Sequence, residues 1–235
     1  MKTILITGGS KGIGNQIVRL ALKKNYRVIF TYRKSLSEAK KLVKLSKNCF
    51  SIKVNLENPK DRLKITQFLK KERIQINSLI NNAAFDVKRK KFEKITQNEI
   101  KKIFEINVFA IYDLIRMCLP FFEKKKHWNS IINFSSTAAK FGGNRFSHYA
   151  PTKAAIENLT ISLSKEFSGK KIRVNSIAPG VIDNKLQNRK NKIIIKSIPS
   201  KRLGTTRDVA NLVMWILSDE AEYINGSNIT ISGGR

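Results

Sequence analysis

The sequence predicts a single α/β domain: a doubly wound, seven-stranded parallel sheet with helices on both faces. Three observations predict it. Short runs of β-branched and other apolar residues alternate with segments whose apolar residues recur at helical spacing, the pattern of successive βαβ units. The chain is 235 residues long and 41% hydrophobic, enough for one sizeable core, and no linker divides it, so residues 1–235 are expected to form one unit. A glycine cluster follows the first apolar run directly, where a strand-to-helix turn would fall.

The expected strands are 3–7, 27–31, 50–54, 77–81, 130–134, 172–177 and 228–231. Between them, 13–24, 36–47, 59–72, 97–125, 150–167 and 207–217 are expected to be helical. Asn58-Pro59 opens the third of these, with a side-chain cap before a proline whose missing N–H costs nothing at a helix start. No repeat and no low-complexity tract interrupts the alternation. In such a sheet ligands bind beyond the carboxyl ends of the strands, where strand order reverses, so the residues just after each strand are the candidates for chemistry.

Composition narrows the function classes. Lys and Arg number 46 against 17 Asp and Glu, a formal net charge of +29. One reading is compositional drift, since Lys, Asn and Ile are all abundant and the lysines spread along the whole chain. The other is steering of an acidic substrate or carrier. Nucleic-acid binding is not expected, because no helix-turn-helix, zinc-finger or aromatic-basic signature is present. No apolar stretch is long enough to cross a membrane, and no signal-peptide pattern follows Met1, so a cytoplasmic location is expected. Cys49 and Cys118 match neither a disulfide framework nor a metal spacing, and His127 and His148 belong to no ligand cluster; no metal is expected.

The cluster Thr7-Gly8-Gly9-Ser10-Lys11-Gly12-Ile13-Gly14 supplies what a pyrophosphate needs: a tight turn free of side chains, backbone amides and the positive end of a helix. Its spacing is Gly-x-x-x-Gly-x-Gly. It closely resembles the glycine motif of the short-chain dehydrogenase/reductases, and the resemblance continues nearly to the last residue, closest in pattern to the 3-oxoacyl-acyl carrier protein reductases. It implies a Rossmann-like fold that binds a nicotinamide cofactor through Gly8, Ser10, Lys11, Gly12, Ile13 and Gly14. Asn81-Asn82-Ala83-Ala84 resembles the family's segment after the fourth strand, with Ala84 in place of a glycine; an alanine suits that position if its φ stays negative. Asn82, Ala83 and Ala84 are thereby placed beside the cofactor. At the end of the second strand an acidic residue would accept from the adenosine 2′-hydroxyl and repel a 2′-phosphate, whereas Arg welcomes the phosphate. Tyr32 fills the acidic position, with Arg33 next and Lys11 in the glycine turn, so NADPH is expected over NADH. Asn55 and Leu56 match the positions that cradle adenine in the family.

Tyr149 and Lys153 are four apart at the start of a predicted helix, so both project from one face. A nearby ammonium favours phenolate and would draw the phenol's pKa down toward a working range. Ser136 lies just beyond the fifth strand, where its hydroxyl can hold the reacting oxygen; Ser135 is the neighbouring candidate with the poorer register. The arrangement matches the family's Ser and Tyr-x-x-x-Lys, which implies Tyr149 as acid/base, Lys153 as tuner and ribose ligand, and Ser136 as substrate holder. The resemblance also assigns Asn107 to a water-mediated proton relay. It places Pro179, Gly180, Ile182 and Asn184 against the nicotinamide, with Asn184 replacing the usual Thr.

The expected activity is NADPH-dependent reduction of a carbonyl, such as a 3-oxoacyl thioester. A sugar, polyol or secondary-metabolite intermediate is the alternative substrate, and a non-catalytic nucleotide sensor or nucleic-acid binder the alternative class. Residues 184–200 are the expected substrate loop, with Ile193-Ile194-Ile195 either lining an apolar pocket or packing a short helix. An acidic acyl carrier protein would suit the basic chain, with Lys124-Lys125-Lys126 and Lys170-Lys171, expected to flank the catalytic end, as candidate patches. The helices over 97–125 and 150–167 resemble those that pair across subunits in the family's tetramers, which implies a homotetramer or a dimer.

Overall fold

The computed structural model describes residues 1–85, 87–124, 127–183 and 192–235. All seven expected strands form in one parallel sheet: β1 (Thr3–Ile6), β2 (Arg27–Tyr32), β3 (Cys49–Lys53), β4 (Ser78–Asn81), β5 (Asn129–Phe134), β6 (Ile172–Pro179) and, last in the chain, β9 (Asn228–Ile231). Their order is β3-β2-β1-β4-β5-β6-β9. The order reverses between β1 and β4, so a crevice is expected where the carboxyl ends of these two strands diverge.

Strands covered on both faces read as apolar runs without alternation, and β1 is buried at all four positions. The pleat sends Ile4 and Ile6 to one face and Leu5 to the other. The first face is covered by α1 (Gly12–Lys23), α2 (Leu36–Val43) and α9 (Thr206–Ile216). The second is covered by α3 (Pro59–Lys71), α5 (Ala110–Cys118) and α7 (Ala150–Phe167). The Asn58 side chain caps α3 through the Lys60 N–H at 3.0 Å, with Pro59 in the first turn. Thr205 and Asp208 close a reciprocal capping box on α9.

Several expectations need correction. The helix expected over 97–125 is not continuous. A Thr96–Glu99 capping box starts α4 (Gln97–Phe104), a wide π turn occupies Glu105–Phe109, α5 follows, and the segment ends in a 3₁₀ turn at Leu119–Phe121, where Pro120 cannot extend the α-helix. Residue 125 lies outside the described residues. The second helix stops at Val43 rather than 47, because Leu45 and Ser46 bond back to Leu42 and Val43 and tighten the last turn. Short elements also appear that periodicity did not announce, α6 (Ala138–Phe141) and the two-residue parallel pair β7 (Ile182–Asp183) and β8 (Gly204–Thr205), while α8 (Lys192–Lys196) is the short helix, one of the two readings of Ile193–Ile195. Finally, Lys170 and Lys171 immediately precede β6, and Lys124 shares a groove with them and Asn129 at the start of β5. These lysines stand at the amino ends of the strands, opposite the carboxyl ends; Lys125 and Lys126 lie outside the described residues.

Candidate active site

The crevice at the β1/β4 reversal is held together by backbone and amide hydrogen bonds. Asn82 Nδ2 donates to the Thr7 carbonyl at 2.8 Å and to that of Gly8 at 3.2 Å, while the N–H groups of Asn82 and Ala83 donate to Thr7 Oγ1 at 3.1 and 3.0 Å. Asn82 thus stitches the loop after β4 to the glycine turn after β1. Gly8 has φ +68°, a conformation glycine adopts without steric cost. At Gly14 a Cβ would fall onto the Gly8 carbonyl and within 2.7 Å of Asn82 Nδ2, so only glycine lets α1 start this close to the turn. Gly9, outside the expected cofactor residues, has a related duty: a Cβ there would meet the Phe30 side chain at 2.5 Å. Ser10 is buried and Lys11 exposed. Around Gly12 the space is open where a Cβ would stand, leaving the start of α1 accessible. Ala84 does not adopt a positive φ, which explains how an alanine fits there.

Tyr32 is buried at the end of β2 and packs in the core, so it presents no carboxylate or other charge to a nucleotide. Arg33 is half-exposed and its guanidinium lies 3.4 Å from Glu57, an acidic neighbour that motif reading had not picked out. After β3, the Asn55 N–H donates to Asp61 at 2.5 Å and the buried Leu56 gives its carbonyl to Arg62 Nε at 2.7 Å. Arg62 is itself 1% exposed and forms ion pairs with Glu105 in the π turn and Asp113 in α5.

Beside this crevice a cavity of about 750 Å³ brings Ser136, Tyr149 and Lys153 together with Ile13, Asn82, Ala84, Pro179, Gly180 and Ile182. Burial pushes the Tyr149 phenol above its ordinary pKa, and hydrogen bonding with Ser136 pulls the other way without prevailing. Lys153 is 2% exposed; burial brings its ammonium down to about 8. Its Nζ donates to the Phe134 carbonyl at 2.8 Å and lies 5.7 Å from the Tyr149 ring centre. The expected lowering of the phenol by the ammonium is therefore not what dominates here: desolvation by burial is the largest cause at both groups. Ser135 turns away, donating to Glu157 on α7 at 2.7 Å.

Asn107 is fully buried in the π turn, accepting from the Phe85 N–H at 2.9 Å and donating to Thr152 at 3.2 Å. Among the described residues no hydrogen bond joins it to Lys153; its side chain ties the loop after β4 to the first turn of α7. The Gly180 N–H donates to Ile231 at 2.9 Å, fixing the segment after β6 against β9. Asn184 lies outside the described residues, as does most of the expected substrate loop. Of its described part, Ile193–Ile195 belong to α8 and do not line the cavity, and Ile193 is exposed. Among the described residues no group of His, Cys, Asp or Glu could hold a metal, and no helix is long and apolar enough to cross a membrane. The far wall of the cavity includes Arg89, Phe141, Asn144 and Phe146, none of which sequence reasoning had singled out.

Residues 8–235 match a family model described as "Enoyl-(Acyl carrier protein) reductase". The chain is 28% identical over 248 residues to the uncharacterized oxidoreductase YgfF of Escherichia coli strain K12, with both proteins covered completely. It is also 28% identical over 241 residues to the 3-oxoacyl-[acyl-carrier-protein] reductase FabG of Staphylococcus epidermidis, covering 99% of this chain and 98% of that one. Among solved structures, a 3-ketoacyl-(acyl-carrier-protein) reductase from Brucella melitensis complexed with NADH superposes with a TM-score of 0.93 at 25% identity, covering 100% of this chain and 98% of that one. A short chain dehydrogenase from Burkholderia cenocepacia J2315 in complex with NADP gives 0.91 at 25% identity, covering 99% and 97%. With the doubly wound sheet and the glycine turn at its switch point, these likenesses place the chain in the short-chain dehydrogenase/reductase family. It is an NAD(P)-dependent short-chain oxidoreductase.

Proposed function

We propose that the chain is an NADPH-preferring carbonyl reductase in which Tyr149 donates a proton to the substrate oxygen. The observation that carries this reading is the convergence of the Ser136 hydroxyl, the Tyr149 phenol and the Lys153 ammonium in one cavity beside the crevice where strand order reverses. The crevice fits a dinucleotide: its glycine turn excludes side chains, and the start of α1 is open to an anion. Gly8, Ser10, Gly12, Ile13 and Gly14 would hold the pyrophosphate, Asn55 and Leu56 the adenine, and Pro179, Gly180 and Ile182 the nicotinamide. When bound, the reduced nicotinamide supplies the hydride. Burial keeps Tyr149 protonated through the neutral range, as a proton donor requires. Ser136 orients the carbonyl oxygen toward the phenol, and Lys153 offsets the negative charge left on Tyr149 after transfer.

Lys11 and Arg33, with Tyr32 where an acid would repel a 2′-phosphate, support NADPH; Glu57 tempers that preference by competing for Arg33. The likeness to 3-oxoacyl-[acyl-carrier-protein] reductases supports a 3-oxoacyl thioester as substrate. We further propose a cytoplasmic homotetramer paired through α4, α5 and α7, with residues 184–200 closing over the substrate.

Tyr149→Phe tests the reading because it removes one oxygen and keeps the ring. Turnover of acetoacetyl thioesters should fall about a hundredfold or more while NADPH affinity stays within about twofold. Ser136→Ala should likewise cut turnover with little change in nucleotide binding. Near wild-type turnover by Tyr149→Phe would overturn the mechanism.

A further inference from the structure

We infer that the far wall of the catalytic cavity contains a subsite for an anionic group of the substrate, a carboxylate or a phosphate, with Arg89 as its ligand; this rests on the carbonyl-reductase reading and names the substrate class. The Arg89 guanidinium lies over the Phe146 ring, 4.2 Å from its centre, and Phe146 in turn packs on Tyr149 with ring centres 5.4 Å apart. One aromatic ring therefore separates a permanent cation from the group that would protonate the carbonyl.

The cation is fixed in place. One Nη donates to the Asn144 carbonyl at 2.6 Å, and the next residue, Lys90, donates its N–H to the Arg145 carbonyl at 3.0 Å, so the segment that carries Arg89 is tied to the loop that supplies Asn144 and Phe146. A guanidinium has five N–H donors, and this bond uses one. Among the described residues no carboxylate pairs with Arg89, and none of the residues lining the cavity is Asp or Glu. The guanidinium carbon lies over the Phe146 ring while donors remain for an acceptor, and arginine's fork takes carboxylate or phosphate oxygens. Of the other cations lining the cavity, Lys153 is buried and bonded to the Phe134 carbonyl, and Arg235 is the last residue of the chain, whereas Arg89 lies over the ring that packs on Tyr149.

The test measures affinity with the nicotinamide nucleotide present, using 5-oxohexanoate, its methyl ester, and a phosphate monoester of a hydroxyketone of similar length. Calorimetry should find at least one anion bound about tenfold or more tightly than the neutral ester, the factor of one charge-assisted hydrogen-bonded contact; the carboxylate and phosphate arms show which oxygen acid is preferred. In Arg89→Met the anion-to-ester ratio should collapse to near one, and in Arg89→Lys, which keeps charge but loses the fork, it should fall partway. Equal wild-type affinity for both anions and the ester would overturn the inference. So would a ratio that survives in Arg89→Met while all the probes weaken together, because that pattern belongs to a residue that merely braces the loop. A wild-type protein that binds an anion selectively yet reduces none of the probes or an acetoacetyl thioester would sink the reductase reading and leave the subsite standing.

Discussion

Replacing Lys153 by methionine should change the way stability responds to pH. The ammonium is almost completely buried, with the Phe134 carbonyl as its acceptor, and burial lowers its pKa from the ordinary 10.5 to about 8. Well below pH 8 both the folded and the unfolded chain carry this proton, so it contributes no slope and the burial penalty is felt in full. Between about 8 and 10.5 only the unfolded chain carries it; unfolding then takes up a proton, and the free energy of unfolding rises by about 1.4 kcal/mol per pH unit. Across that window the wild type should gain roughly 3 kcal/mol over Lys153→Met. Contributions that the two proteins share cancel in the difference. Urea unfolding of the two nucleotide-free proteins at one protein concentration, from about pH 7 to about pH 10.5, measures it. A difference that stays flat, or that shrinks as pH rises, would refute the claim that desolvation governs this lysine.

Removing Arg33 by alanine should weaken NADPH by about 1.5–3 kcal/mol and leave NADH nearly unchanged, while Glu57→Gln, which frees the guanidinium from its neighbour, should tighten NADPH selectively; titration of both nucleotides checks the pair. Gly14→Ala should destabilise the fold by about 1–3 kcal/mol, since the new methyl must displace either the Gly8 carbonyl or Asn82, and unfolding of the nucleotide-free protein would read it. Sedimentation at micromolar concentration and moderate salt should find a tetramer or dimer; a stable monomer under those conditions would contradict the proposed assembly.

Much of this was legible because it is local. The parallel strands announce themselves as apolar runs buried on both faces, and Tyr149 and Lys153 share a helix face by spacing alone. Ser136, just past β5, needed only the position of one strand end. What stayed hidden depends on distance or burial. Arg89 sits in the basic run Lys88–Lys91 of an already basic chain, and its aromatic partner Phe146 comes from another loop, so nothing local separated it from a solvated charge. Glu57 carries no motif; its meaning comes from where β2 and β3 end side by side. The wide turn at Glu105–Phe109 leaves the apolar periodicity nearly intact, so the pattern there reads as continuous helix. The charge of Lys153 is visible in the sequence, but the burial of Tyr149 is not, which is why the phenol lies above its ordinary pKa rather than below it.

The Arg62 trio constrains how this sequence can drift. Its two carboxylates, about 30% exposed on their side chains, can turn to water if the guanidinium disappears, whereas the guanidinium, 1% exposed, cannot follow if they do. Loss of both acids would strand a buried cation, at a cost of about 3–5 kcal/mol or more. Lineages descending from this chain therefore have a one-way door: position 62 must become apolar before Glu105 and Asp113 are free to change. Because the same arginine also holds the Leu56 carbonyl beside the expected adenine site, descendants that pass through that door must find another support for that loop.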